Sequence, residues 1–409
     1  MRFFKWLFIL IVAVIVVAAG LLALNFDKVQ RLLAVNSLFS EEKIVANFSG
    51  MNTLFFNKDI PSSGEVTEWE EALKPLPESF QSGESNQNVT DWLAVSKTTS
   101  LLVIQDGKIA YENYYLDTKP DDLRVSWSVA KSFLSAAFGV AVSEGKIDLE
   151  KPVETYVVEF AGSAYEGVSV RNVLNMASGV TFDEDYLEFW SDINKMGRTL
   201  AIGGSMDQFA IDLKGRDREP GVSRQYVSID THVLAMVLRA ATGETLPDYL
   251  AEKLITPLGF SKQPYYLTDS EGNAFALGGL NITTRDYARF GQMFLDYGKW
   301  QGAQVVPSGW VLESTIASAP PVADSEKQNG NDQYNYGYQW WVPADSTSFG
   351  GDYLARGIYG QYIYISPKTK TVIVRTAANR NFRGKVEDGR FVNLVNLDMF
   401  RAVAAHVSQ

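Results

Sequence analysis

The placement of strand signals most constrains what this 409-residue chain can fold into: they stand near the two ends of its body, with helical patterns between. Leu101-Leu102-Val103-Ile104-Gln105 and Lys108-Ile109-Ala110-Tyr111 flank Asp106-Gly107, two turn residues that tolerate positive φ, so an antiparallel hairpin is expected there. Strand patterns return only late, in Tyr336 to Val342, Gln361 to Ile365 and Thr371 to Thr376. Between them, Phe133 to Val142, Val168 to Met176, Ile229 to Thr242 and Leu246 to Leu254 carry helical spacing and run into glycine-bearing stops. Phe391 to Val407 closes the chain as an amphipathic helix. A chain so ordered assembles one sheet from its two ends. The expected class is α/β (α+β), an antiparallel sheet flanked by helices plus a mostly helical subdomain.

The N-terminus adds a second constraint. Arg2 and Lys5 precede an apolar run from Trp6 to Phe26 with no charge until Asp27, long enough to cross a bilayer as a helix. Ala18 and Ala19 lie inside the run and Leu21, Leu22 and Leu24 continue it, which favours an uncleaved anchor over a cleavable signal. Residues 1–27 are therefore expected to be a transmembrane signal anchor, with the body exported to the periplasmic face of the inner membrane. Pro61-Ser62-Ser63-Gly64 and Ser82-Gly83-Glu84-Ser85-Asn86 punctuate the next segment, so 28–89 reads as a linker and N-terminal extension. Residues 90–409 form the main domain, with the helical insertion over about 150–260.

Composition removes several functions. A net charge of −11 offers no field for phosphates, so nucleic acid is excluded as a partner and a neutral or cationic small molecule is favoured. The absence of cysteine removes thiol nucleophiles, thiolate zinc sites and iron–sulfur clusters. With two histidines, His232 and His406, and no HExxH, no metal or other cofactor is expected. His406 reads as a surface residue and His232 as a packing or hydrogen-bonding one.

Ser128-Val129-Ala130-Lys131 begins where a polar approach turns into an apolar, alanine-rich run. Residues three apart share a helix face, so Ser128 and Lys131 meet if a helix starts there. The first turn offers free backbone N–H groups to developing negative charge. A lysine desolvated in such a pocket loses enough basicity to accept a serine proton. The spacing alone is weak, since Ser143-Glu144-Gly145-Lys146 repeats it at a helix end. Context separates the two: Lys131 is expected to point into packed structure and Lys146 outward. No Gly-x-Ser-x-Gly elbow occurs.

Three separated pieces together carry a resemblance: Ser128-Val129-Ala130-Lys131, Tyr226-Val227-Ser228, and Ala355-Arg356-Gly357-Ile358-Tyr359-Gly360-Gln361. In that order they resemble the serine β-lactamase superfamily, and within it the class C-like branch of esterases and 6-aminohexanoate-dimer hydrolase. Leu174 to Gly179, Phe182-Asp183-Glu184-Asp185-Tyr186 and Pro257-Leu258-Gly259-Phe260 extend the similarity, which runs from about Leu101 to Ala404. The resemblance implies a β-lactamase/D,D-peptidase-like fold and a serine hydrolase forming an acyl-enzyme on small ester or amide substrates. It implies Ser128 as nucleophile, Lys131 as its proton acceptor and Tyr226 as proton shuttle to the leaving group. It places the backbone N–H groups of Ser128 and Ile358 in an oxyanion hole, Ser228 in the site or as a cap, and Tyr186 along the substrate pocket.

One piece departs from that pattern. Ala355-Arg356-Gly357 stands where the family usually carries Lys-Thr-Gly or His-Thr-Gly, and strand alternation is expected to turn Arg356 to the opposite face. A substrate without the carboxylate that the missing cation faces is therefore favoured over penicillins. Two alternatives remain open: a D,D-peptidase of the penicillin-binding type, and a non-catalytic receptor that is acylated and signals through its anchor.

Overall fold

The computed structural model describes residues 2–62, 65–327 and 330–409. Met1 of the expected anchor, Ser63-Gly64 of the expected linker and Gln328-Asn329 near the start of the late strand region lie outside the described residues. The principal elements are, in chain order, α1 (Arg2–Leu24), α2 (Phe26–Ser37), β1 (Asn57–Asp59), β2 (Thr98–Gln105), β3 (Lys108–Tyr114), β4 (Arg124–Val125), α3 (Ala130–Ser143), α4 (Asp192–Ile202) and α5 (Ser228–Thr242). They continue with β5 (Tyr265–Leu267), β6 (Leu280–Ile282), α6 (Thr284–Leu295), β7 (Tyr334–Tyr336), β8 (Trp341–Pro343), β9 (Tyr353–Gly357), β10 (Gln361–Ser366), β11 (Thr371–Ala377) and α7 (Val392–Val407).

Both chain ends supply the main sheet, as the strand signals require. Its order is β7-β8-β9-β10-β11-β2-β3, antiparallel throughout, and β11 joins β2 with Thr371 opposite Gln105 and Val374 opposite Leu102. The hairpin turns on Asp106 and Gly107 at φ 48° and 78°. Helix α6 packs on one face of this sheet, with α3 beyond it, and α7 covers the other face through Val395, Phe400 and Val403. Tyr336 to Val342, expected as one strand, is a hairpin: β7 and β8 pair, with Gln339 at φ 65° in the turn between them.

A second, four-stranded sheet runs β1-β5-β6-β4. Its short strand β4 leads directly into Ser128, so whatever holds β4 holds the nucleophile candidate. Much of that support comes from residues 38–60, so within the expected linker and N-terminal extension over 28–89 this stretch is extension packed on the body, not linker. Leu38, Ile44, Phe48, Met51 and Ile60 are buried in the main core. Val125 donates its backbone N–H to the Phe48 carbonyl at 3.0 Å, and buried Arg124 donates to the Val45 carbonyl at 2.7 Å and the Ser49 hydroxyl at 2.8 Å. Further along, Trp69 packs edge-on against Trp300 and Phe80 is buried under α7. The segment is an integral wall of the body.

Helix α1 is long and apolar enough to cross a membrane, and its described residues are exposed.

Candidate active site

Ser128 sits in a tight turn, Trp127–Val129, that feeds α3 without a break. Helix α3 is buried on every side from Ala130 to Ala141, because it is the axis of the body. Lys131, in its first turn, is therefore 1% exposed, whereas Lys146 of the second Ser-x-x-Lys is partly exposed and paired with Glu144. The Lys131 amine reaches the Ser128 hydroxyl at 3.1 Å, the Ser228 hydroxyl at 3.2 Å and the Leu277 carbonyl at 2.9 Å. Burial pushes its pKa down to about 7, against the opposing pull of Glu184 and Asp230. A neutral amine within hydrogen-bond reach of a serine hydroxyl can take its proton.

Tyr226 and Ser228 arrive on the approach to α5. The Lys131 amine nitrogen lies 5.3 Å from the centre of the Tyr226 ring, which stacks on Trp341 at 5.2 Å. Burial raises its phenol well above the ordinary value, with Glu184 adding to the rise and the Ser128 and Ser228 hydroxyls opposing it. A phenol so held stays protonated and is a proton donor. Ser228 opens α5 but its side chain does not cap it; the hydroxyl binds Lys131 and donates to Glu184. Glu184 also accepts the Ser228 backbone N–H at 2.9 Å and the Tyr186 hydroxyl. Asp230, in the first turn of α5, accepts from Tyr165 at 2.7 Å and Ser178 at 2.8 Å, and burial raises it to about 7.

The third segment closes on the nucleophile from the sheet. At Gly357 an added Cβ would lie 2.7 Å from the Ser126 carbonyl oxygen and 3.1 Å from the Ser128 nitrogen, so only glycine allows β9 this close to the turn. On either side of the contact the backbone is strained at bulky residues, Trp127 at φ 43° and Tyr359 at φ 60°. Such conformations cost roughly 1–3 kcal/mol each and persist where packing over-determines them. Here Phe48 packs edge-on against both rings, and Phe39 stacks on Tyr359 at 4.6 Å.

Two cavities meet at Ser128, Tyr186 and Ile358. The larger, about 280 Å³, is walled by apolar groups including Leu38, Phe39, Leu187, Phe189 and Phe275. The smaller, about 70 Å³, is lined by Tyr226, Asn331, Arg356, Arg383 and Asn393. Ser128, Lys131, Tyr226, Ser228, Tyr186 and Ile358 are thus all brought together. His232 is not; it binds Asp207 at 2.9 Å, and His406 is exposed on α7.

With this geometry, the comparisons decide the family. The model of the beta-lactamase family matches residues 94–397. The chain belongs to the beta-lactamase family. Its sequence is 33% identical over 291 residues to the 6-aminohexanoate-dimer hydrolase of Paenarthrobacter ureafaciens, covering 69% of this chain and 72% of that one. A solved structure assigned as a 6-aminohexanoate-dimer hydrolase from Bacillus anthracis superposes with a TM-score of 0.78 at 24% identity, covering 90% of this chain and 96% of the other. EstCE1, a hydrolase with promiscuous acyltransferase activity, superposes at 0.57 and 15% identity over 77% of this chain and 96% of its own. At these identities the two structures speak to the fold alone. This beta-lactamase-family protein is a serine hydrolase.

Arg356 corrects one expectation. Strand alternation is kept, since Ala355 faces the core of α3 while Arg356 lies over Trp341 at 3.8 Å on the face covered by α7. The site, however, wraps round the end of β9, because Tyr226 stacks on that same Trp341. The Arg356 guanidinium therefore lines the small cavity beside Ser128, donating to Asn331 at 2.7 Å. Sequence reasoning missed Glu184, Asp230, Arg383 and the wall from Val35 to Phe39. Glu184 lies inside the Asp183-to-Tyr186 run, and its even spacing to Tyr186 was the available signal.

Proposed function

We propose that this beta-lactamase-family enzyme hydrolyses ester or amide bonds through an acyl-enzyme on Ser128. Neutral Lys131 takes the hydroxyl proton as the Ser128 oxygen bonds to the substrate carbonyl carbon. The backbone N–H groups of Ser128 and Ile358 face the carbonyl oxygen as it gains negative charge. Collapse of that adduct breaks the bond to the leaving group, which takes a proton from Tyr226; Tyr226 is reprotonated from Lys131 as water replaces the leaving group. Attack by that water on the acyl carbon, with its proton passing to the same groups, frees the acid and restores Ser128. Glu184 orients Ser228 and Tyr186 around the amine.

The observation that carries this reading is the 3.1 Å contact between Ser128 and a buried amine whose pKa is lowered to about 7. We place the enzyme on a membrane through α1, whose length and apolar character support a span, with its body exported, the orientation that Arg2 and Lys5 before the span favour. Hydrolysis of p-nitrophenyl acetate and of a short alkyl amide by the full chain, compared with Ser128→Ala, tests the chemistry. Loss of turnover on both is expected; turnover retained by the variant would refute it.

A further inference from the structure

Helix α2 links the membrane-crossing candidate to the catalytic cavity. One residue, Asn25, separates it from α1, and its 12 residues rise about 18 Å. Its last turn, at Val35 and Asn36, and the Leu38 and Phe39 beyond it form one wall of the 280 Å³ apolar chamber beside Ser128. Thus the chamber wall lies within about one short helix of the point where the chain leaves the bilayer.

The facing wall carries a second feature. Leu187 and Phe189 of that wall, just before α4, are 83% and 53% exposed, and Trp190, packed edge-on against Phe189 outside the cavity, is 69% exposed. Arg198 on α4 holds its guanidinium 4.1 Å over the Phe189 ring and 5.6 Å over that of Trp190. Helix α4 packs directly against α2, where Arg31 donates to the Ala201 carbonyl at 2.8 Å. Exposed apolar side chains gathered at one cavity mouth mark an interaction site. Aromatic rings beside an arginine, next to a membrane span, have the chemistry of the bilayer–water interface.

Resting on the acyl-enzyme and anchor readings above, we propose that the substrates are acyl amphiphiles held at the bilayer surface, whose apolar chain enters the chamber between α2 and α4 while the polar end occupies the small cavity at Arg356 and Arg383. Leu187, Phe189 and Trp190 form the passage from the interface to Ser128. The reaction is unchanged: the acyl carbon bonds to the Ser128 oxygen, the alcohol or amine leaves with a proton, and water releases the fatty acid.

The test uses the full chain reconstituted in phosphatidylcholine vesicles and p-nitrophenyl esters from acetyl to decanoyl. We expect kcat/KM to rise roughly two- to fourfold per added methylene up to at least octanoyl, the increment for burying one CH2 group. Gly197, on the chamber wall of α4, has nothing within 4 Å of an added Cβ, so Gly197→Phe places a ring in the chamber without backbone strain. That variant is expected to lower the octanoyl-to-acetyl ratio at least tenfold. A hexadecanoyl ester, which exchanges slowly between bilayers, is expected to be cleaved at least tenfold faster when it shares vesicles with the enzyme than when carried in separate ones. A flat chain-length series in an enzyme that cleaves the acetyl ester and is labelled at Ser128 would overturn the inference alone. Equal cleavage from shared and separate vesicles would overturn the bilayer source. An enzyme that cleaves no ester and carries no label on Ser128 would remove the underlying hydrolase reading as well.

Discussion

Lys131 gives the most demanding prediction, because one group then governs both rate and stability. Burial lowers its pKa from 10.5 to about 7. At 1.36 kcal/mol per pH unit, the fold disfavours the charged amine by about 5 kcal/mol. For catalysis the neutral form is the working one, so kcat/KM rises with pH through an apparent pKa near 7 and at pH 6 is about tenfold below its plateau. For stability the sign follows from proton uptake. Between about pH 7 and 10.5 the unfolded chain holds a proton on this lysine that the folded chain does not, so stability increases with pH across that window. Its slope is about 1.4 kcal/mol per pH unit, and below about pH 7 the full penalty remains. Lys131→Met has no such term. The lost hydrogen bonds to Ser128, Ser228 and the Leu277 carbonyl add a constant offset, so the slope, not the absolute difference, is the readout. Urea unfolding of both proteins in detergent at pH 8, 9 and 10 measures it above the range in which Asp230, itself raised to about 7, takes up a proton. The stability advantage of the Met variant over the parent is expected to shrink by about 1.4 kcal/mol per pH unit. Parallel stability curves, or a rate inflection near pH 10, would refute the reasoning.

Other perturbations read other parts of the site. Tyr226→Phe is expected to lower kcat on an alkyl amide by roughly 10²–10⁴, and less on a p-nitrophenyl ester, whose leaving group needs no proton; steady-state kinetics on the two substrates check the split. Gly357→Ala drives a methyl group against the Ser126 carbonyl and the Ser128 nitrogen, and a shift of about 1 Å there is expected to cost on the order of 100-fold in kcat/KM, measured on p-nitrophenyl acetate. Phe48→Ala empties a fully buried position under Trp127 and Tyr359 and is expected to destabilise the protein by roughly 3–5 kcal/mol in denaturant titration.

The parts of this architecture that were legible in the chain are those with strong local chemistry. Asp106-Gly107 names its own turn, the aliphatic run at Leu101 to Ile104 names a buried strand, and the alanine-rich run after Ser128 names a buried helix. Ser128 and Lys131 could be paired because helix geometry dictates their shared face. The second sheet was not legible, since β1 and β4 are 3 and 2 residues long, too short for any period to register. The role of residues 38–60 stayed hidden for a related reason. Ile44, Phe48 and Met51 are spaced by polar residues and short turns, and what makes them core is the strand at Arg124–Val125, far away in sequence. Arg356 shows the limit of alternation rules: the side chain points as the strand dictates, but the Tyr226–Trp341 stack carries the site round to meet it.

The central claim is covalent chemistry at Ser128, and direct labelling tests it. The full chain is treated with a fluorophosphonate, digested, and its peptides are read by tandem mass spectrometry. The predicted result is a single phosphonylated residue, Ser128, with no label in Ser128→Ala and labelling slowed by orders of magnitude in Lys131→Met. Label on another serine, or an equal rate in the Met variant, would contradict it.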